Sequence, residues 1–137
     1  MAANTTPIFT LTPNVSWGTT AITAANTAKD GTGTTLTVFT AGSFGSFVKE
    51  VLFRTAGTNV ATVARIFLNN GSSSATPANN ILIGEVTLSA TTISEVAANV
   101  PYSFAVNSPI QAGYKILVAL GTAVSAGYYV SAWGGDY

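Results

Sequence analysis

The 137-residue chain contains no cysteine and no histidine, and only 7% of its residues are charged. Without cysteine it can form neither a disulfide framework nor a thiolate metal site. Without histidine it lacks the commonest general base and the commonest metal ligand. Serine–histidine and cysteine–histidine nucleophile systems are therefore excluded, as are zinc sites of the usual kinds.

Carboxylates are the catalytic candidates that remain, and five are present: Asp30, Glu50, Glu85, Glu95 and Asp136. A glycosidase needs two of them across a cleft. Only Glu85 and Glu95, which flank a predicted turn, are close enough in sequence to suggest a pair. A calcium-binding loop supplies several carboxylates, whereas residues 29–34, "KDGTGT", contain only one. This stretch therefore predicts a turn. We predict no enzymatic activity, no cofactor and no metal.

Charge and hydropathy argue against two classes of partner, nucleic acids and membranes. Five Lys and Arg offset five Asp and Glu, so no basic patch for nucleic acid is expected. The longest apolar run, residues 116–120, is far shorter than the ~20 residues of a membrane span, and "MAANTTPIFTLTP" does not resemble a signal peptide. A surface with so little charge does little to keep copies apart. We therefore expect it to pack against other copies or a larger partner, the alternative being a compact monomer with a threonine-rich surface.

Short segments rich in Val, Ile, Thr, Phe and Tyr, separated by turn-forming residues, predict an all-β fold. The candidate strands are residues 8–11, 34–40, 47–55, 60–68, 81–88, 100–106, 114–120 and 127–133. About eight such strands predict an antiparallel β-sandwich or barrel with a Greek-key connectivity that local pattern does not specify. Residues 14–137 are expected to form this single domain. Residues 1–13 are expected to form an extended arm or an edge strand, since Pro7 and Pro13 disfavour helix.

"VKEVLFRTAGTNVATVARIFLNN", residues 48–70, holds four of the charged residues among large apolar ones. If residues 56–59 close a hairpin, Glu50 faces Arg65 across the two strands. Such an ion pair is worth under ~1 kcal/mol in solvent, but between large apolar side chains it indicates a subunit interface. The alternative is an ordinary solvated face. The predicted interface consists of Val48, Glu50, Leu52, Arg54, Val63, Arg65 and Phe67.

The C-terminal stretch predicts a second hairpin, formed by residues 114–120 and 127–133. Both of its faces are apolar, which is typical of central strands or of a strand pair against a neighbouring subunit. Its Tyr128, Tyr129 and Trp133, with Trp17 elsewhere, could stack on sugars. Aromatic residues in a small β-protein are more often core.

"NTAKDGTGTTLTVFTAGSFGSFVKEVLFRTAGTNVATVARIFLNNG" and "AGYKILVALGTAVSAGYYVSAWGGDY", residues 26–71 and 112–137, resemble capsid decoration or cement proteins of tailed bacteriophages. The resemblance implies a small β-sandwich, often a jelly roll, that is commonly a homotrimer. It also implies assembly in the host cytoplasm and a place on the virion, bound to the major capsid protein and stabilising the shell. The arm residues expected to contact the capsid or an adjacent subunit are Thr5, Thr6, Pro7, Ile8 and Phe9.

The first functional hypothesis is thus a virion structural protein without enzymatic activity. The alternative is a carbohydrate-binding or receptor-binding module of a phage fibre or head appendage, which would use an exposed Trp17 or Trp133. A self-assembling filament or surface-layer subunit is a third possibility, and it would form open-ended polymers rather than closed trimers.

Overall fold

A computed structural model describes residues 9–137, in which eight strands account for nearly all the regular structure. The strands are β1 Thr12–Trp17, β2 Leu36–Thr40, β3 Ser46–Thr55, β4 Thr62–Asn69, β5 Asn80–Leu88, β6 Tyr102–Ile110, β7 Lys115–Leu120 and β8 Tyr128–Asp136. A single 3-10 turn, Pro77–Asn79, precedes β5.

The strands form two antiparallel sheets of four. Sheet A has the order β1-β8-β3-β6 and sheet B the order β2-β7-β4-β5. The strand pairs β1–β8, β2–β7, β3–β6 and β4–β5 are all neighbours, as expected when a long antiparallel ribbon is wrapped into a jelly roll. The predicted all-β sandwich of about eight strands is confirmed, and its connectivity is that of a jelly roll.

The core lies between the two sheets, where strand alternation directs one side chain in two inward. Sheet A contributes Val51 and Phe53 from β3 and Tyr128 from β8, all fully buried. Burial raises the pKa of the Tyr128 phenol, whose hydroxyl donates to Ser89 O at 3.4 Å. The principal contributions of sheet B are Phe39, Ile66, Leu88, Ile116, Val118 and Leu120.

Neither predicted hairpin is present among residues 9–137. β3 lies between β8 and β6 in sheet A, whereas β4 lies between β7 and β5 in sheet B. The predicted Glu50–Arg65 pair is therefore wrong, because the two side chains belong to different sheets. Likewise β7 and β8 are in different sheets, although each is a central strand as its apolar pattern indicated. The chain changes sheet at every connection except β4–β5, so consecutive strands are seldom partners.

The first strand is the one that the sequence misplaced. β1 begins at Thr12, beyond the predicted segment 8–11, and the boundary expected after Pro13 falls inside it. Proline is tolerated there because β1 is the edge strand of sheet A and needs no ladder donor on its free side. Residues 1–8 lie outside the described part of the chain.

Candidate interaction surface

The outer face of sheet A carries an exposed group of aromatic side chains. Val15 pairs with Trp133, and Trp17 pairs with Ser131, which lies two residues earlier in β8. Because cross-strand partners share a face, both tryptophans and Tyr129 project to the same side. We call this surface the aromatic face, and it consists of Val15, Trp17, Glu50, Leu52, Arg54, Tyr129, Ser131 and Trp133.

The aromatic rings of this face are open to solvent. Trp17 is 67% exposed, Tyr129 57% and Trp133 45%. A shallow depression of about 330 Å³ runs between these rings and Arg54. The Trp133 indole N–H donates to Ser131 Oγ at 3.0 Å, which orients one ring. Several exposed apolar groups on one side of a small protein make this face a candidate interaction surface.

A bulge in β3 determines which of its side chains reach the aromatic face. Val48 pairs with Gly134 of β8 and Glu50 pairs with Trp133, so Lys49 is an extra residue with no partner. Without the bulge, Val48 and Glu50 would point to the same side. With it, Val48 is fully buried in the core, and Glu50 joins the outer face.

The predicted interface is therefore divided. Glu50, Leu52 and Arg54 lie on the aromatic face, in register with Trp133, Ser131 and Tyr129 of β8. Val48 was placed wrongly, since the bulge turns its side chain into the core, out of reach of any neighbour. The remaining three predicted residues, Val63, Arg65 and Phe67, belong to β4 on the outer face of sheet B.

Part of the outer face of sheet B is covered by the chain itself. The connection between β1 and β2 runs over it: Asn26 N donates to Leu120 O at 2.7 Å, and Arg65 Nη1 donates to Asn26 O at 3.5 Å. Phe67, with Leu117 and Ala119 of β7, forms a buried cluster on this side. The prediction of Phe67 as an interface residue is wrong because its ring is fully buried.

Arg65 has a different partner from the one predicted. Its Nε lies 2.9 Å from Glu85 Oε1, on the paired strand β5, and its side chain is only 12% exposed. The covering connection is held further along by Asn80 Nδ2, which donates to Asp30 O at 3.1 Å. Hydrogen bonds from the hydroxyl and then the amide of Thr32 lower the pKa of Asp30 and fix the turn there.

Of the five predicted arm residues, Thr5, Thr6, Pro7 and Ile8 lie outside the described part of the chain. Phe9 is described and is 76% exposed. Leu11 follows it at 85% exposure, while its backbone N donates to Asp136 O at 2.8 Å. The last residues before β1 thus present two large apolar side chains to solvent.

Among residues 9–137, no three His, Cys, Asp or Glu side chains are grouped so that they could hold a metal ion. Over the same range, no helix has the length and hydropathy to cross a bilayer. Glu85 is engaged by Arg65, and Asp136 accepts hydrogen bonds from Asn14 Nδ2 and Ser46 Oγ.

Sequence reasoning missed the grouping of Trp17 with Tyr129 and Trp133. A signal was present in "TPNVSW", where Val15 and Trp17 alternate with polar residues as in a half-buried strand. Pro13 concealed it, since proline argues against a strand interior. Comparison of the chain with protein-family models, with curated proteins and with solved structures finds no match.

Proposed function

We propose that this chain is a structural protein of a tailed-phage particle, without enzymatic activity, which decorates the capsid as a homotrimer. It binds the major capsid protein on the outer surface of the shell and stabilises it. The observation that carries the proposal is the aromatic face, which presents Trp17, Tyr129, Trp133 and Arg54 on one rigid sheet. Trp, Tyr and Arg are the residues most enriched at the energetic centres of protein interfaces.

The geometry of the aromatic face suits a rigid protein partner. Its side chains come from β1, β8 and β3, three adjacent strands, so little conformational entropy is lost on docking. Glu50 and Arg54 lie on the same strand at either end of the patch and supply charges that can fix the orientation of a partner. The jelly-roll fold, which capsid and lectin domains share, agrees with this proposal and with its alternative.

Stabilisation of the shell would follow from mass action. A protein that binds the assembled shell and not its dissociated subunits raises shell stability in proportion to its affinity and concentration. Such a role needs no catalytic group. It needs an apolar surface that the isolated chain leaves open to water and that a partner can cover, and the aromatic face is open in this way.

The test is co-sedimentation of the purified protein with capsid shells assembled without it, followed by heating of the complexes. We expect saturable binding and a higher temperature of shell disruption. Trp17→Ser and Trp133→Ser should each weaken binding about 30-fold, the loss of about 2 kcal/mol typical of a central interface residue. Leu82→Ser, at a 41% exposed position on β5 of sheet B, is the matched control. Shells that neither bind the protein nor resist heat better would refute the proposal.

A second function is favoured by one specific observation. Both tryptophans are exposed, and they flank the depression near Arg54 instead of packing in the core. Exposed rings on a flat sheet are a stacking surface for sugar rings, so a glycan-binding or receptor-binding module is the alternative. Screening against a glycan array tests it. Binding that is lost in Trp17→Ala and Trp133→Ala, with shell binding unaffected, would favour this alternative over capsid decoration.

A further inference from the structure

A second unfilled apolar surface lies at the opposite edge of sheet A from β1. Here the edge strand β6 of sheet A and the edge strand β5 of sheet B leave the sandwich open. The opening is a groove of about 470 Å³, and we call it the edge groove. Its apolar lining includes Leu68, Ile83, Phe104, Val106, Ile110 and Tyr114.

The backbone around the edge groove favours insertion of side chains over addition of a strand. In β6, Asn107 has a φ of +45° beside the bulge opposite Lys49, and Pro109 lacks an N–H. Bulges and prolines on an edge oppose pairing with a further strand. The inner part of the opening is closed by the Phe104 ring, which packs so closely on Gly84 that a Cβ there would meet it at 2.1 Å. What remains open is an apolar slot for side chains.

The chain carries side chains of the required kind at the other edge of the same sheet. Phe9 and Leu11 are 76% and 85% exposed, and both lie within three residues of the start of β1 at Thr12. One row of paired residues, Thr12, Asp136, Ser46 and Ile110, runs across sheet A from β1 to β6. The exposed pair and the edge groove therefore lie at the same end of the sandwich but on opposite edges.

The width of sheet A separates these side chains from the edge groove of their own chain. Three strand spacings separate β1 from β6, about 14 Å at the usual 4.7–4.9 Å per strand. Leu11 is fixed at β1 by its bond to Asp136 O. Phe9 is two residues further, at most about 7 Å of extended chain. The backbone at Phe9 therefore falls about 7 Å short of β6, so these complementary features are better placed to meet between different copies.

We propose that Phe9 and Leu11 of one copy occupy the edge groove of the next copy. This contact joins two different surfaces, so it is head-to-tail, and repetition closes a ring when the rotation between copies allows it. The low charge of the chain agrees with it, because net charge of zero offers no long-range repulsion between copies. The inference rests on the self-association in the proposed function and names the surfaces that would produce it.

The absence of native cysteine allows a direct test by disulfide formation. Leu11→Cys and Gln111→Cys, introduced into one chain, place one thiol before β1 and one beside the edge groove. Under mild oxidation we expect covalent oligomers of head-to-tail linked chains on a non-reducing gel. Val96→Cys with Gln111→Cys, a similarly exposed pair, is the control and should remain monomeric. Monomers linked within one chain, or cross-linking no greater than in the control, would overturn the proposal.

Light scattering after size exclusion provides the second measurement. Phe9→Ser with Leu11→Ser removes only exposed apolar groups, so the variant should fold and should elute as a monomer where the parent is an oligomer. An oligomer whose mass these substitutions leave unchanged would overturn the assignment of surfaces while leaving self-association intact. A monomeric parent chain would overturn both. Neither result decides whether the aromatic face binds shells, which the tryptophan variants test separately.

Discussion

Replacement of Asn59 by alanine is expected to destabilise the protein strongly. The side chain of Asn59 is buried between the loops at one end of the sandwich. Its Nδ2 donates to Gly127 O at 2.8 Å and to Thr55 Oγ1 at 3.0 Å, and its Oδ1 accepts from the N–H groups of Ala126 and Gly127, both at 2.9 Å. Its backbone N–H and C=O pair with Thr91. One side chain thus joins the β3–β4 and β7–β8 connections, and its backbone holds the β5–β6 connection.

The magnitude follows from what Asn59→Ala leaves without a partner. Gly127 O keeps a hydrogen bond from Ala56 N at 2.9 Å, but the N–H groups of Ala126 and Gly127 lose the acceptor they share. A buried donor left unpaired, as the Gly127 N–H would be, costs about 1–3 kcal/mol. The half-buried Ala126 N–H adds a smaller amount, so we expect a loss of about 3 kcal/mol in all. With an unfolding entropy of about 2.1 cal/mol/K per residue, this loss lowers Tm by about 10 °C.

Urea denaturation followed by circular dichroism measures the change in the free energy of unfolding, and a thermal scan gives Tm. Asn70→Ala is the matched control, because the Asn70 side chain also forms two hydrogen bonds but lies at the surface. We expect the control to lose under about 1 kcal/mol. If Asn59→Ala stays within about 0.5 kcal/mol of the parent protein, the reasoning about unpaired buried donors is wrong.

Asn59→Asp probes the same site through pH. In this variant, one carboxylate oxygen would face Gly127 O at the place where the Asn59 Nδ2 group now donates a hydrogen bond. Burial and the contact with Gly127 O oppose the charged carboxyl, whereas the N–H groups of Ala126 and Gly127 favour it. We expect the first two effects to be the larger and to raise the pKa of the new carboxyl in the folded state above its unfolded value of about 3.9. The protonated form is then favoured by folding, so the deficit relative to the parent should grow as pH rises above about 4. Urea midpoints at pH 4 and pH 7 test this, and an equal deficit at both would contradict it.

Two further predictions concern sheet A. Burial opposes ionisation of Asp136, but hydrogen bonds from Ser46 and Asn14 outweigh it and hold its pKa below the ordinary 3.8. Its stabilising contribution is therefore present above that value and is lost as pH falls through the lower folded pKa. Asp136→Asn should accordingly flatten the fall in urea midpoint as pH drops below about 4, and an unchanged slope would count against this. In Gly134→Ala, the new Cβ would lie 2.2 Å from Phe47 O, so β3 and β8 must separate locally. The expected loss is about 2 kcal/mol or more in the same urea assay, and a loss under about 0.5 kcal/mol would show that the strands adjust freely.

The sequence by itself determined where most of the strands lie and which kinds of site the protein cannot form. Turn residues and β-branched segments located seven of the eight strands, because strand propensity and alternation are properties of short stretches. The missed strand, β1, contains Pro13, and a sheet tolerates proline mainly in an edge strand. Whether a strand lies at an edge depends on which other strands pair with it, and the local sequence does not show this. The absence of histidine and cysteine excludes whole classes of site however the chain folds.

The tertiary structure decided which strands pair and which faces are exposed. Glu50 and Arg65 looked like partners because their strands follow one another, but the chain crosses to the other sheet between them. By simple alternation Val48 would lie on the same outer face as Glu50. The unpaired residue between them, Lys49, shifts the alternation by one, so Val48 points into the core. The aromatic face unites Trp17 and Trp133 through a β1–β8 pairing that spans nearly the whole chain. Strands pair in the arrangement that buries the inner faces of both sheets together. That arrangement depends on residues far apart in the chain, so no short segment predicts it.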